Sequence, residues 1–354
     1  MSRIALFIPA CLFLTACGTA PLIRNEPAGT LPAPVTNNAV AAVGQDGGWS
    51  IYSFNGLGPG KQWRDVSNVA YRVEPESGKA EVIAEVPGAG RLASTAAVAG
   101  GDIYIFGGYT VAEDGTEQSL AEVWKFDPFN EIFTRQADMP TAVDDSVALT
   151  YRDRYIYLIS GWQDQGNVRN VQVYDTRDQR WMQATPFPGT PVFGHAGAIY
   201  GRSLMLIDGV AVTGQVEGKR QFGAVTQFWT GTIDARNPAR ISWQQLADHP
   251  GEPRYRAGAA IDRSSRRLII AGGSGNPYNY DGIGYNGLPS QPAEQILGYD
   301  FESGRWRVLG LLERGVMDLR GLVKIADDYF LVGGMTRGQQ VSDGIFRFRL
   351  PASD

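Results

Sequence analysis

An all-β fold of six four-stranded sheets stacked about one axis, a six-bladed β-propeller, is predicted by three features of this 354-residue sequence. Six apolar alternating segments each run into two small residues. The segments recur about every 50 to 60 residues, a period that marks a repeat architecture. Glycine, at 44 residues, and aromatic residues are abundant, which suits many short strands joined by tight turns.

In order, the second strand of each unit is expected at Trp49–Phe54, Asp102–Phe106, Tyr155–Ile159, Ser203–Ile207, Arg267–Ala271 and Tyr329–Val332. These run into Asn55-Gly56, Gly107-Gly108, Ser160-Gly161, Asp208-Gly209, Gly272-Gly273 and Gly333-Gly334. Counted from the second member of each pair, the spacings are 52, 53, 48, 64 and 61 residues. A four-stranded sheet cannot cover both its faces alone, and radial stacking buries them while the small pair lets backbones pass closely. Third and fourth strands carry aromatic pairs seven residues apart, Phe126 with Phe133, Tyr174 with Trp181 and Tyr299 with Trp306. Blade one has Val73 and Ala80 instead, and blade four stretches to Trp243. These aromatics read as filler between sheets rather than as a cofactor box. The small pair after strand two and the spaced aromatics resemble the kelch repeat, so residues 37–350 are expected to form a six-bladed kelch-type propeller.

The last unit supplies strands at Leu319–Ile325, Tyr329–Val332 and Asp343–Arg349 and has no fourth. An unpaired sheet edge is a liability. The stretch Leu22–Glu26, followed by Leu31–Val35, resembles the end of a fourth strand and its exit, so residues 18–36 are expected to hold a tether and a strand that closes blade six.

Residues 1–17 carry one cation, Arg3, and an apolar run from Ile4 to Leu14 too short to span a bilayer, as in a secretory signal. Leu14-Thr15-Ala16-Cys17 resembles the bacterial lipobox, which implies cleavage before Cys17 and acylation of that cysteine; ordinary cleavage near Ala16 would leave a free thiol instead. The resemblance to bacterial lipoproteins further implies, from Gly18 rather than Asp after the cysteine, an outer-membrane location facing the periplasm. Only Cys11 and Cys17 are present, so no disulfide is expected. Net charge is −5 with dispersed basic residues, which argues against nucleic-acid binding and against any membrane contact beyond the lipid anchor. A monomer is expected.

Loops after strand two and before strand one share one end of such a disc and surround the axis, where function concentrates. The extended ones are Val210–Val225 and Ser274–Ala293; the second carries Tyr278, Tyr280 and Tyr285 among asparagines and could stack a sugar ring or be a flexible insertion. Counting back from the small pairs, Arg91, Asp144 and Arg256 fall sixteen residues before the first member, and His195 and Arg320 thirteen before. With Asp145, Arg254 and Arg220 they form an arginine-rich, carboxylate-containing constellation suited to an anionic or hydroxylated ligand, or to tying blades together. Trp162 and Tyr280 join Arg91, Asp144, Asp145, His195, Arg220, Arg256 and Arg320 as ligand-binding candidates. His195 alone reads as packed rather than catalytic. No Cys/His metal cluster, hydrolase elbow or phosphate loop occurs, so no metal or cofactor is expected.

Within kelch propellers, the bacterial exported N-acetylneuraminate epimerases (sialic acid mutarotases) resemble this chain in size, blade number, N-terminal clasp and export. In that family a Glu follows an Asn-Gly pair in blade four, with an Arg shortly beyond, and both are active-site residues. Here the matching stretch is Leu206-Ile207-Asp208-Gly209-Val210, so Val210 replaces the acid, and Arg220 matches the Arg. Anomer exchange moves protons at two oxygens and requires a positioned acid or base. The resemblance therefore implies binding of a carbohydrate or protein ligand on the loop face first, and a sugar mutarotase acting on an acidic sugar only where Glu217, Asp144 or Asp145 substitutes. Galactose oxidase also uses kelch blades, but its copper chemistry needs two histidines and a tyrosine crosslinked to a cysteine, and only His195, His249 and no mature cysteine beyond the anchor exist here.

Overall fold

The computed structural model describes residues 20–45 and 47–351, and these form six antiparallel sheets about one axis. The expected signal segment and the acylation at Cys17 lie outside the described residues. Blade one comprises Ala39–Gln45, Gly48–Leu57, Val66–Val73 and Ala80–Glu85. Blades two, three and four begin at Thr95, Val147 and Ala196 and end at Arg135, Gln183 and Leu246. Blade five runs from Gly258–Asp262 to Arg305–Leu312. Blade six has Val323–Ile325, Asp328–Val332 and Gly344–Phe348. The second strands of blades two to five match their expected limits, because each is stopped by its small pair.

The aromatic pairs are cross-strand partners in register: Phe126 faces Phe133, Tyr174 faces Trp181 and Tyr299 faces Trp306. Each pair also packs on the preceding blade, with Phe54 against Phe126 at 5.5 Å, Phe106 against Trp181 at 6.1 Å and Phe228 against Trp306 at 4.9 Å. Such edge contacts add about 0.5–1.5 kcal/mol each beyond simple burial. Blade four keeps only Trp243, opposite Gly231, and the indole occupies the space that a side chain at 231 would need.

The closing strand is present, displaced by four residues from the expected Leu22–Glu26. Glu26–Thr30 pairs antiparallel with Gly344–Phe348 and supplies the outer strand of blade six. Leu22–Ile23 instead pairs parallel with Leu311–Leu312 and adds a fifth strand to the rim of blade five. The displacement has a physical cause: Ile23 fills a gap in the blade five–six core whereas Leu22 points outward, so the apolar pair serves a different sheet. The strand that does close blade six, Glu-Pro-Ala-Gly-Thr, shows no apolar alternation, carries a bulge between Pro27 and Gly29, and is held by backbone contact. A Cβ on Gly29 would lie 2.4 Å from the carbonyl oxygen of Gly78 in blade one, so two backbones meet where no side chain fits. The part of the expected tether from Pro21 onward therefore belongs to the folded body.

Around the axis, one residue per blade just ahead of strand one is left-handed: Asn37, Ala93, Asp145, Gly194, Arg256 and Asp318, with φ from 47° to 65°. For residues other than glycine this costs about 1–2 kcal/mol apiece. Backbone hydrogen bonds offset it by linking neighbours around the mouth. Ala93 N donates to Asn37 O (3.2 Å), Asp145 N to Ala93 O (3.0 Å), Gly194 N to Asp145 O (2.8 Å) and Arg256 N to Gly194 O (2.7 Å). The residue before each ring position bridges to the residue after the small pair, as Asp144 does with Trp162 and Phe193 with Val210. This pairing aims the ring residues and the post-glycine residues at the same space.

Candidate functional site

That space is a cavity of about 300 Å³ at one end of the axis, at the small end of the range for ligand pockets. Its floor is a four-charge network. Arg256 donates from Nη2 to Asp145 Oδ2 (2.6 Å) and from Nη1 to Asp318 Oδ1 (3.1 Å). Arg320 Nη2 lies 2.7 Å from Asp145 Oδ1, and its Nη1 donates to Asp318 Oδ1 at 3.2 Å. All four side chains are nearly inaccessible to solvent. Two cations face two carboxylates, so this layer is neutral and its charges are spent on one another.

One wall is aromatic. Trp162 meets Phe193 at 5.3 Å and Phe222 at 5.6 Å, and Phe222 stacks on Tyr285 at 4.4 Å. Arg220 lies over the Trp162 ring at 5.2 Å, and its Nη2 donates only to backbone oxygens of Asp164 and Gln165. Among the described residues it makes no ion pair, so its charge remains available to a ligand. Val210–Val216 and Lys219–Ala224 form the hairpin that carries Arg220 and Phe222, where the sequence suggested an extended loop. Glu217 sits at the exposed tip of that hairpin, away from the cavity, and Val210 is wholly buried beneath Phe193.

Next to it the lining is acidic, with Asp144 paired to Trp162 and the other acids coming from the hairpins of blades two and three. Ser119 donates its hydroxyl to Asp144 Oδ2 at 2.6 Å, and its N–H to Asp164 Oδ1 at 2.8 Å. Burial, reinforced by the charge of Asp145 and then of Glu117, pushes the Asp144 carboxyl well above the usual carboxylate range. Burial against the cavity also raises the Glu117 carboxyl, with the charge of Asp145 adding to it and Arg256 opposing it. The outer part of Glu117 stays open to solvent, so its shift is the smaller of the two. Burial drives the Tyr285 hydroxyl up to about 12 and raises those of Tyr109 and Tyr255 well above the usual phenol range.

The blade-five loop closes the rim with Asn279 and Tyr280. It is not a slack insertion: Tyr278 is wholly buried against Tyr255, Asn276 and Asn286 exchange side-chain hydrogen bonds, and Lys61 of blade one donates to Asp281 O at 2.8 Å.

Six of the candidates, Asp144, Asp145, Trp162, Arg220, Arg256 and Tyr280, thus converge on one cavity. His195 and Arg320 line the narrower channel beneath it. There burial lowers the His195 imidazole to about 4, so it is neutral and packed. Arg91 is elsewhere. It is buried in the seam of blades one and two, where its Nη2 donates to Glu122 at 2.8 Å. Arg254 likewise turns to Gln295, at 3.1 Å. Counting back from the small pairs misplaced Arg91 because the strand one–two hairpins differ in length, from Ala99–Asp102 to Asp262–Arg267. The true equivalents in blades two and six are Ala93 and Asp318. Glu117, Ser119 and Tyr109, all on the blade-two hairpin, were not singled out by sequence; the signal was Tyr109, which directly follows its diglycine as Trp162 follows Ser160-Gly161.

Among the described residues no cluster of His, Cys, Asp and Glu could hold a metal ion.

The kelch motif matches residues 90–140. Kelch-like protein 15 of Mus musculus is 20% identical over 70% of this chain, and that of Gallus gallus 25% over 30%. The matches span only 39% and 22% of those longer proteins. N-acetylneuraminate epimerase of Salmonella arizonae is 23% identical over 94% of this chain and 91% of its own length; that of Pasteurella multocida is 22% identical over 95% and 94%. The solved structure described as "Structure of YjhT" superposes with a TM-score of 0.70 at 19% identity, covering 90% of this chain and 95% of that one. With its six blades and these likenesses, the chain is a kelch-repeat β-propeller that resembles the N-acetylneuraminate epimerases over nearly its whole length.

Proposed function

We propose that this propeller binds a carbohydrate carrying one anionic group in the axial cavity, displayed at a bacterial envelope through acylated Cys17. The observation that carries the reading is Arg220: it lies on Trp162 with no acidic partner, whereas Arg256 and Arg320 are neutralised in the floor. A single available guanidinium suits one carboxylate, and the aromatic wall suits the apolar face of a sugar ring. Asp144, Glu117 and Tyr280 offer hydrogen bonds to hydroxyls. The concave shape and small volume favour such a ligand over a protein surface.

A second reading is supported by the likeness to the epimerases along nearly the full chain: the bound sugar, such as N-acetylneuraminate, would have its anomers interconverted. Saturation-transfer NMR against a panel of neutral and acidic sugars tests the first reading. Binding of acidic sugars that is lost in Arg220→Ala is the expected result, and no binding by any sugar would overturn it. Metabolic labelling with a tagged fatty acid tests the anchor, with label lost in Cys17→Ser.

A further inference from the structure

The acid expected after the small pair of blade four is missing, and Val210 in its place is sealed beneath Phe193. The cavity instead holds Asp144 of blade three, one of the acids the sequence offered as a substitute, and Glu117 of blade two, which the sequence did not single out. We propose that Asp144 and Glu117 form a proton-transfer pair for opening and closing a sugar hemiacetal in this cavity. The proposal rests on the reading that a sugar occupies the site.

The geometry is set by the blade-two hairpin, Tyr109–Val111 paired with Glu117–Ser119. Glu117 and Ser119 are two apart on one strand, so their side chains leave on the same side, about 7 Å apart along the strand. Ser119 Oγ is hydrogen-bonded to Asp144 Oδ2, so Asp144 stands beside Glu117 across the same opening. The hydrogen bond from Ser119 N to Asp164 locks this hairpin to that of blade three. Asp145, Arg256 and Glu117 are the charged groups around Asp144, and Asp164 and Arg220 complete the charged lining.

The two carboxyls differ in their surroundings. Asp144 is enclosed and hydrogen-bonded to Ser119, and burial together with the neighbouring Asp145 side chain favours its neutral, proton-donating form. Glu117 is partly solvated and faces Arg256, which leaves it closer to ionisation. Environments that separate two carboxyls in this way assign one as acid and the other as base.

In the forward step, Asp144 gives its proton to the ring oxygen, the bond from the anomeric carbon to that oxygen breaks, and Glu117 takes the proton of the anomeric hydroxyl as the carbonyl forms. Rotation about the carbon–carbon bond presents the other face. On closure the chain hydroxyl returns a proton to Asp144 as it attacks, and Glu117 returns its proton to the new anomeric oxygen. Both residues regain their starting states, and nothing is oxidised or reduced.

Anomer-exchange NMR with N-acetylneuraminate, on wild type and on the isosteric variants Asp144→Asn and Glu117→Gln, tests the pair. Saturation transfer on the same samples reports binding, and melting curves report folding. The expected result is exchange slowed by about 10²-fold or more in each variant with binding retained. The pH profile should lose its alkaline limb in Asp144→Asn and its acid limb in Glu117→Gln. Wild-type exchange rates in the double variant would overturn the pair, as would binding by the wild type without any acceleration. Absence of binding would instead sink the underlying carbohydrate reading.

Discussion

Arg256 Nη2 lies 2.6 Å from Asp145 Oδ2, so residues 111 apart in sequence join blade five to blade three across the mouth of the channel. Both sit in left-handed backbone, and both are held in place by the ring of main-chain hydrogen bonds. The same guanidinium reaches Asp318 of blade six.

Removing that cation should be far more damaging than removing the one above it. Arg256→Met leaves Asp145 and Asp318 buried with one cation between them, and breaking a buried pair from one side costs about 3–5 kcal/mol. Arg220→Ala, at an exposed position, should stay within about 0.5 kcal/mol of wild type. Urea unfolding of the two variants checks the contrast; equal stabilities would refute the charge layer as a structural element.

The two histidines should titrate in opposite directions. His249 Nε2 faces Asp208 Oδ2 at 2.6 Å and its Nδ1 faces the Pro250 carbonyl at 3.0 Å. The charged imidazolium donates at both nitrogens to these two oxygens. Burial works against that charge, but the hydrogen bond and charge of Asp208 outweigh it and raise the pKa. His195, buried without a partner, falls to about 4. With two histidines in the chain, ring carbon–proton NMR spectra resolve both, and Asp208→Asn should bring the His249 midpoint down.

Stability follows from those shifts. The His249 contribution is complete below its unfolded pKa, about 6.5, and is lost as pH rises through its higher folded value. For His195 the unfolded chain binds the extra proton, so stability declines as pH falls from about 6.5 towards 4, where burial has placed its folded midpoint. Unfolding free energies measured at intervals of pH in His195→Gln should show the acid-side decline reduced.

The clasp should be sensitive at one backbone contact. A Cβ on Gly78, at φ +73°, would come 2.5 Å from the carbonyl oxygen of Ala28. Gly78→Val should therefore cost about 2–4 kcal/mol, combining left-handed strain with overpacking. Gly218→Val has a similar φ of +77° but open space around it, and should show only the strain. Deleting residues 20–30, which removes the outer strand of blade six, should sharply lower the melting temperature; an unchanged value would mean that the ring is closed by other contacts.

Blade boundaries were legible because glycine pairs and aromatic spacing are local signals: Asp102–Phe106 and Ser203–Ile207 could be read to the residue. The site was legible where a side chain adjoined such a signal, as Asp144 and Trp162 do. Arg91 was brought to the axis, and Arg320 to the ring position that Asp318 holds, by a count that assumes equal hairpins, and hairpin length is not encoded by the repeat. Glu117 escaped because its position depends on the register of a short hairpin against the next blade, a relationship between segments rather than a property of either. Glu26–Thr30 escaped for a similar reason: it is placed by backbone pairing with Gly344–Phe348 and close approach to Gly78, and its composition gives no apolar alternation to read.

The parallel pairing of Leu22–Ile23 with the outermost strand of blade five fixes where any leash must leave the disc. Four residues lie between Cys17 and Leu22, a reach of no more than roughly 18 Å even at full extension. A lipid on that cysteine would moor the protein by its circumference, edge-on to the bilayer. The axial opening would then look along the membrane plane, and solutes would come to it from the side.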